Sequence, residues 1–193
     1  GAADYVSADD WIFRAKAGVV EVAFWVVIAY IVGHVNAGFS GWMLERNLVC
    51  RFLGQPTNLL LCKEPQGWLS VLFPNYYTPL AGALQDRILE LFHSSSIADD
   101  EAVRFHHARS IAKKDSVTWG QVGILLQLYG FCRNVAFALL VVAIALLTYH
   151  HYGLAAVAAV GAAAMFYRYL KFYRQYAYEL LTAYPDLVVR SST

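Results

Sequence analysis

Ionised side chains are what this sequence has least of. Asp, Glu, Lys and Arg make up 15% of the 193 residues, against about 25% in ordinary soluble domains. Val22–Leu44 contains none, and neither does Val135–Tyr167. Gaps of that length exclude an ordinarily solvated surface there and favour burial in lipid or in a large interface. Cysteine is sparse too. Cys50, Cys62 and Cys132 stand far apart with no CxxC pair, which excludes a zinc knuckle or dithiol redox motif and reads as reduced thiols. No GxSxG, Walker A or HExxH pattern occurs, and the chemistry asks for no cofactor and no metal. A formal net charge of +1 supplies no pull towards nucleic acid. The opening Gly1-Ala2-Ala3 lacks a basic n-region, so no cleavable signal peptide is expected there.

What is present is apolar: 59% of the residues are hydrophobic. The charge-free run 135–167 is closed by Arg133 on one side and by Arg168, Lys171 and Arg174 on the other. Its middle, Thr148-Tyr149-His150-His151-Tyr152-Gly153, is polar and turn-prone. One span needs about 20 apolar residues, so this run fits two shorter spans. A hairpin over 134–150 and 153–170 is expected. The run 22–44 reaches about 34 Å as a helix, enough for one tilted crossing.

The fold class that follows is all-α: an integral membrane bundle of about three transmembrane helices with a helical cytoplasmic region. Four segments are expected. Residues 1–44 hold an interfacial helix and the first span, and 45–132 a cytoplasmic or interfacial helical region. Residues 133–170 form the hairpin, and 171–193 a basic amphipathic helix and tail. Lys and Arg number 2 before the first span, 9 between it and the hairpin and 4 after it, so a cytoplasmic centre and C-terminus put 13 of 15 inside. The N-terminus is then outside.

Polar groups at membrane depth need partners or water. His34, Asn36 and Ser40 are therefore candidates either for glue between helices or for the lining of a pore. Ala29, Gly33, Ala37 and Gly41 recur every fourth residue and suit close helix approach, as do Ala155, Ala159 and Ala163 on the second hairpin arm. So many small faces exceed what three spans can bury among themselves, which predicts a homo-oligomer. Arg133, Arg168, Lys171 and Arg174 are expected at the membrane surface.

Between the spans, Gly54-Gln55-Pro56 reads as a turn, and Trp68–Pro79 as an aromatic segment broken by two prolines, interfacial or re-entrant. Leu80–Phe92 reads as an amphipathic helix with Gln85, Asp86 and Glu90 off the apolar face, and His93–Ser96 as a loop. Asp99–Glu101 loads the start of a polar, solvated helix that ends near Lys114. Ser116 is read as the cap of the next helix. The last helix is expected to stop at Pro185, with Val188–Thr193 frayed.

Arg87 and His93 match the R-x(4–6)-H spacing of HEPN ribonucleases, against the plain alternative of a helix surface, and Ile88 stands where a polar residue is usual. His106 and His107 point about 100° apart on a helix and make poor co-ligands for a metal. His150 and His151 fit a polar loop tip. Enzyme activity is the weaker class.

In layout, the charge-free hairpin 135–167 with helices continuing past it at 116–134 and 168–182 resembles small bacterial membrane effectors of the SLATT type. It is also similar to the helical membrane accessory protein of some type VI CRISPR systems, where a HEPN-like bundle forms an oligomeric pore. The run 22–44 adds a span to the two-span plan. The resemblance implies a membrane-permeabilising effector, an ion channel or pore of antiviral defence. Its gate would answer a cytoplasmic protein or nucleotide signal, and its surroundings would be the lipid bilayer. The alternative from the residues is a non-conducting subunit of a larger membrane complex.

Overall fold

The computed structural model describes residues 8–62, 68–95, 97 and 100–192, with side chains described for 18–62, 68–95, 97, 100 and 103–190. From the expected acidic helix start, Asp99 lies outside these. The chain divides into two units, 1–39 and 40–193. Every element among the described residues is helical.

The first unit is one continuous helix, α1 (Ala8–Ser40), whose last residue enters the second unit. No break separates an interfacial piece from the apolar run; Trp11–Val22 holds no proline, and the helix passes through Gly18. Along α1 the imidazole of His34 packs on the ring of Tyr30 one turn earlier, with centroids 4.3 Å apart.

The second unit opens with a π-helical stretch, Gly41–Leu53. Its buried residues, Leu44, Val49 and Leu53, follow the buried Ser40 that ends α1 at spacings of four, five and four. That spacing fits i→i+5 turns and not the 3.6-residue period. The Gly54 N–H closes the stretch on the Val49 carbonyl, 2.9 Å away, with Gly54 itself at φ 84°. Helix thus runs nine residues past Leu44, where the span was expected to end, and stops at the predicted Gly54–Pro56 turn.

Short helices α2 (Pro56–Leu61), α3 (Leu69–Leu72) and α4 (Pro74–Tyr77) lead to α5 (Gly82–Ser94) and α6 (Glu101–Ala112). Two long helices, α7 (Ser116–Thr148) and α8 (Tyr152–Ser192), complete the chain. Asp115, not Ser116, caps α7: its carboxylate accepts from the Thr118 N–H at 2.9 Å. Hydrogen bonds from Thr118 hold the Asp115 carboxyl below its ordinary range. The tip joining α7 to α8 lies where the sequence put it. His150 sits there at φ 59°, and the His151 N–H reaches back to Leu146 at 2.9 Å, the backbone closure of a Schellman turn.

α7 and α8 pack along their length. Ala136 and Ala143 on one arm and Ala155, Ala158 and Ala162 on the other are buried, and a Cβ at Gly161 would come within 3.2 Å of the Leu139 side chain. At 1.5 Å per residue the two helices reach about 50 and 60 Å, well beyond the roughly 30 Å of a hydrocarbon core. Three helical stretches, Gly18–Leu61, Ser116–Thr148 and Tyr152–Arg190, are long and apolar enough to cross a membrane.

The far half of α8 is the spine of the helical region. Ala177, Leu180, Leu181, Tyr184 and Leu187 pack with Leu60, Leu80, Ile88 and Phe92, and with Ala108 and Ala112 of α6. Helix α6 therefore has a buried alanine face and is not solvated all round. Gln85 is also buried, donating to the Leu61 carbonyl; a polar side chain inside a core needs such a partner. α5 continues through Ser94, where a loop was expected, and α8 passes Pro185 to Ser192. Burial of Tyr184 and Leu187 either side of the proline offsets the backbone bond it removes.

Candidate functional site

Charge returns to the chain at the open end of the hairpin, and polar chemistry concentrates there. The Arg133 guanidinium, on α7, donates to Glu45 of the π-helical stretch. One residue on, Asn134 accepts from the Ser40 hydroxyl at 2.6 Å. The two pairs tie the end of the first span to the first hairpin arm. Gly41 lies against the same guanidinium: a Cβ there would stand 3.5 Å from Arg133 Nη1.

Around this pair stands a tyrosine cluster. Tyr129 stacks on Tyr173 at 5.2 Å and lies 6.0 Å from Tyr169 and 5.9 Å from Tyr176. Tyr169 and Tyr173, one turn apart on α8, stack at 5.8 Å. The hydroxyls of Tyr169 and Tyr176 are buried and meet no hydrogen-bond partner among the described residues. Removing an unpaired buried hydroxyl relieves a desolvation cost. Tyr169→Phe and Tyr176→Phe are therefore expected to leave the melting temperature unchanged or raise it by a few degrees. A clear fall in detergent-phase thermal melting would show that the hydroxyls are satisfied.

On the other side, α4 places Tyr76 and Tyr77 edge to face, and their hydroxyls donate to the carbonyls of Gly54 and Leu53, each at 2.9 Å. These are end-of-helix carbonyls, which have no intrahelical donor. Burial raises both phenols above their ordinary range. With Val49, Leu53, Cys132, Tyr169 and Leu170 they make a second core. The adjoining α3 turns its apolar side chains outward: Trp68 is 73% exposed and Val71 81%.

Between the 73–78 segment and α8 lies a cleft of about 520 Å³, within the range of small-ligand sites. Phe73 and Tyr167 stack at its edge, 6.5 Å apart. Tyr76 and Leu170 add apolar wall, and Asn75, Thr78, Lys171, Arg174, Gln175, Tyr178 and Glu179 supply polar groups. Arg174 donates from Nη2 to the Thr78 carbonyl at 2.9 Å, while its buried Nε meets no partner among the described residues.

No protein family, curated protein or solved structure matches the chain. The geometry alone therefore carries the reading.

Of the four basic residues assigned to a surface, Arg133 is spent on Glu45. Arg168 is exposed and lies over the Phe172 ring, and Lys171 and Arg174 face the cleft. Ser40 is buried and its hydroxyl donates to Asn134. His34 and Asn36 lie on α1 in the other unit, on the helix that also carries Ala29, Gly33 and Ala37. Ala155 is buried inside the hairpin, whereas Ala159 and Ala163 remain on its outer face. Arg87 and His93 are both exposed on α5, about 120° apart around the helix. No group of three His, Cys, Asp or Glu residues that could hold a metal occurs among the described residues. Sequence reasoning missed Glu45 and the cleft. The only available signal for Glu45 was a carboxylate directly after a charge-free run.

Proposed function

We propose that this chain is a multi-pass membrane protein that assembles with copies of itself and opens a gated path through the bilayer. One observation carries the reading: α7 and α8 run without interruption from the helical region into the apolar hairpin. A partner or nucleotide signal that shifts the helices packed on 177–187 would move the spans through the same rigid rods, which is the physical requirement for coupling. The outer Ala159 and Ala163 offer a close-approach face to a neighbouring copy. Basic open ends favour the orientation with the C-terminus in the cytoplasm of a bacterial cell, and the resemblance in layout to SLATT-type effectors supports a role in antiviral defence.

A second reading, a non-conducting subunit of a larger membrane complex, is favoured by Ser40. Its hydroxyl is tied to Asn134 and is not turned to a path.

Dye release from liposomes separates the two, read beside the mass of the detergent-solubilised particle. The pore reading expects a particle of several chains and release by the reconstituted protein. Overpacking the outer face with Ala159→Leu and Ala163→Leu, at about 1–3 kcal/mol, is expected to lower association and release about tenfold or more. A single-chain particle with sealed vesicles would sink it.

A further inference from the structure

The cleft between the 73–78 segment and α8 has a polarity that changes along the helix axis. Nearest the hairpin its wall is Phe73, Tyr167 and Leu170. One turn further come two cations, Lys171 and Arg174, and beyond them the carboxylate of Glu179. The order is apolar, positive, negative. At 100° per residue Tyr167, Lys171 and Arg174 fall on one face of α8; Glu179 lies about 140° round from Arg174 and about 7.5 Å further along the axis, and it too lines the cleft. Arg174 is positioned by its bond to the Thr78 carbonyl and lines the cleft beside Lys171. Two cations side by side favour an anionic oxygen as their partner. Just before the 73–78 segment, Trp68, Val71 and Leu72 are exposed, as a short helix lying in a headgroup layer would present them.

We infer that this cleft binds one glycerophospholipid whose headgroup carries a phosphate followed by a primary ammonium, the chemistry of an ethanolamine lipid. The acyl-glycerol end lies against Phe73, Tyr167 and Leu170, the phosphodiester meets Lys171 and Arg174, and the ammonium donates to Glu179. A choline headgroup has no N–H for Glu179, and a glycerol headgroup has no charge for it. The inference rests on the hairpin spanning a membrane and does not need the pore. Sealed vesicles in the release assay would not touch it. A chain extracted from membranes by alkaline carbonate without detergent would remove the membrane reading before any lipid is offered.

The test is native mass spectrometry of the full chain in mild detergent, offered ethanolamine, glycerol and choline phospholipids of identical acyl chains. One ethanolamine lipid per chain should survive activation, retained about tenfold over the other two. Lys171→Gln with Arg174→Gln should abolish retention. Because Arg174 also bonds to Thr78, Lys171→Gln alone serves as the folding-safe variant; its side chain is exposed, and retention should fall severalfold at an unchanged melting temperature. Glu179→Gln should equalise ethanolamine and glycerol lipids without lowering total retention. Equal retention of all three lipids by the unaltered chain overturns the inference, and so does indifference to Lys171→Gln. Free phosphoethanolamine or inorganic phosphate displacing the lipid at equal concentration would also overturn it, since the ligand would then be a soluble phosphate.

Discussion

Arg133→Met should destabilise the protein by about 2–4 kcal/mol, and adding Glu45→Gln should return most of that loss. Breaking a buried ion pair on one side strands the other charge, at about 3–5 kcal/mol for full burial. Here the side chains of Arg133 and Glu45 are 15% and 27% exposed, so residual solvent screens part of the cost. Arg133 also lies over the Tyr129 ring, a contact that Met keeps as apolar packing. The pair spans 88 residues of sequence and joins the end of the first span to the hairpin. Its loss should therefore separate those two pieces before either unwinds. The measurement is a double-mutant cycle on thermal melting in detergent, with protease cleavage near 41–53 as the local probe. Equal losses in the single and double variants would mean that the side chains are held by packing and not by each other's charge.

The second large effect is expected at Phe92. Its ring is fully buried, stacks on Tyr184 at 4.6 Å and carries Arg104 over one face at 5.9 Å. Truncating such a side chain costs about 3–5 kcal/mol, the lost transfer energy plus the cavity. The core it belongs to is closely filled by large side chains, with Ala108 and Ala112 on its α6 side, so neighbours relax only partly into the space. Phe92→Ala should release α5 and α6 from α8 while the hairpin stays helical. Limited proteolysis should then cut within 82–112 at rates that leave 116–190 intact, with helical circular dichroism reduced only in part. Uniform loss of the whole chain would show that the helical region and the hairpin fold as one cooperative unit.

Much of the hairpin was readable without coordinates, and the reason is chemical. Thirty-three residues without an ionised group, interrupted once by Thr148–Gly153, leave few conformations that satisfy the backbone. The continuation of the second arm as a helix could be read from the periodic placement of Arg168, Lys171 and Arg174 against Tyr169, Phe172 and Tyr176. Local signals misled where packing outweighs them. Pro185 lies within a helix because Tyr184 and Leu187 are held in a core. Gln85 is interior because the Leu61 carbonyl needed a donor. The 41–53 stretch widens to i→i+5 turns, which put Leu44, Val49 and Leu53 on one buried face.

Composition and the spacing of charge thus set the number of apolar helices, their approximate ends and the hairpin tip, since those depend on neighbours within a few turns. The partners of Glu45 and Ser40 and the cleft that joins Phe73 to Arg174 were settled by folding. Each brings together residues tens of positions apart, and no local rule of propensity or period reaches across that distance.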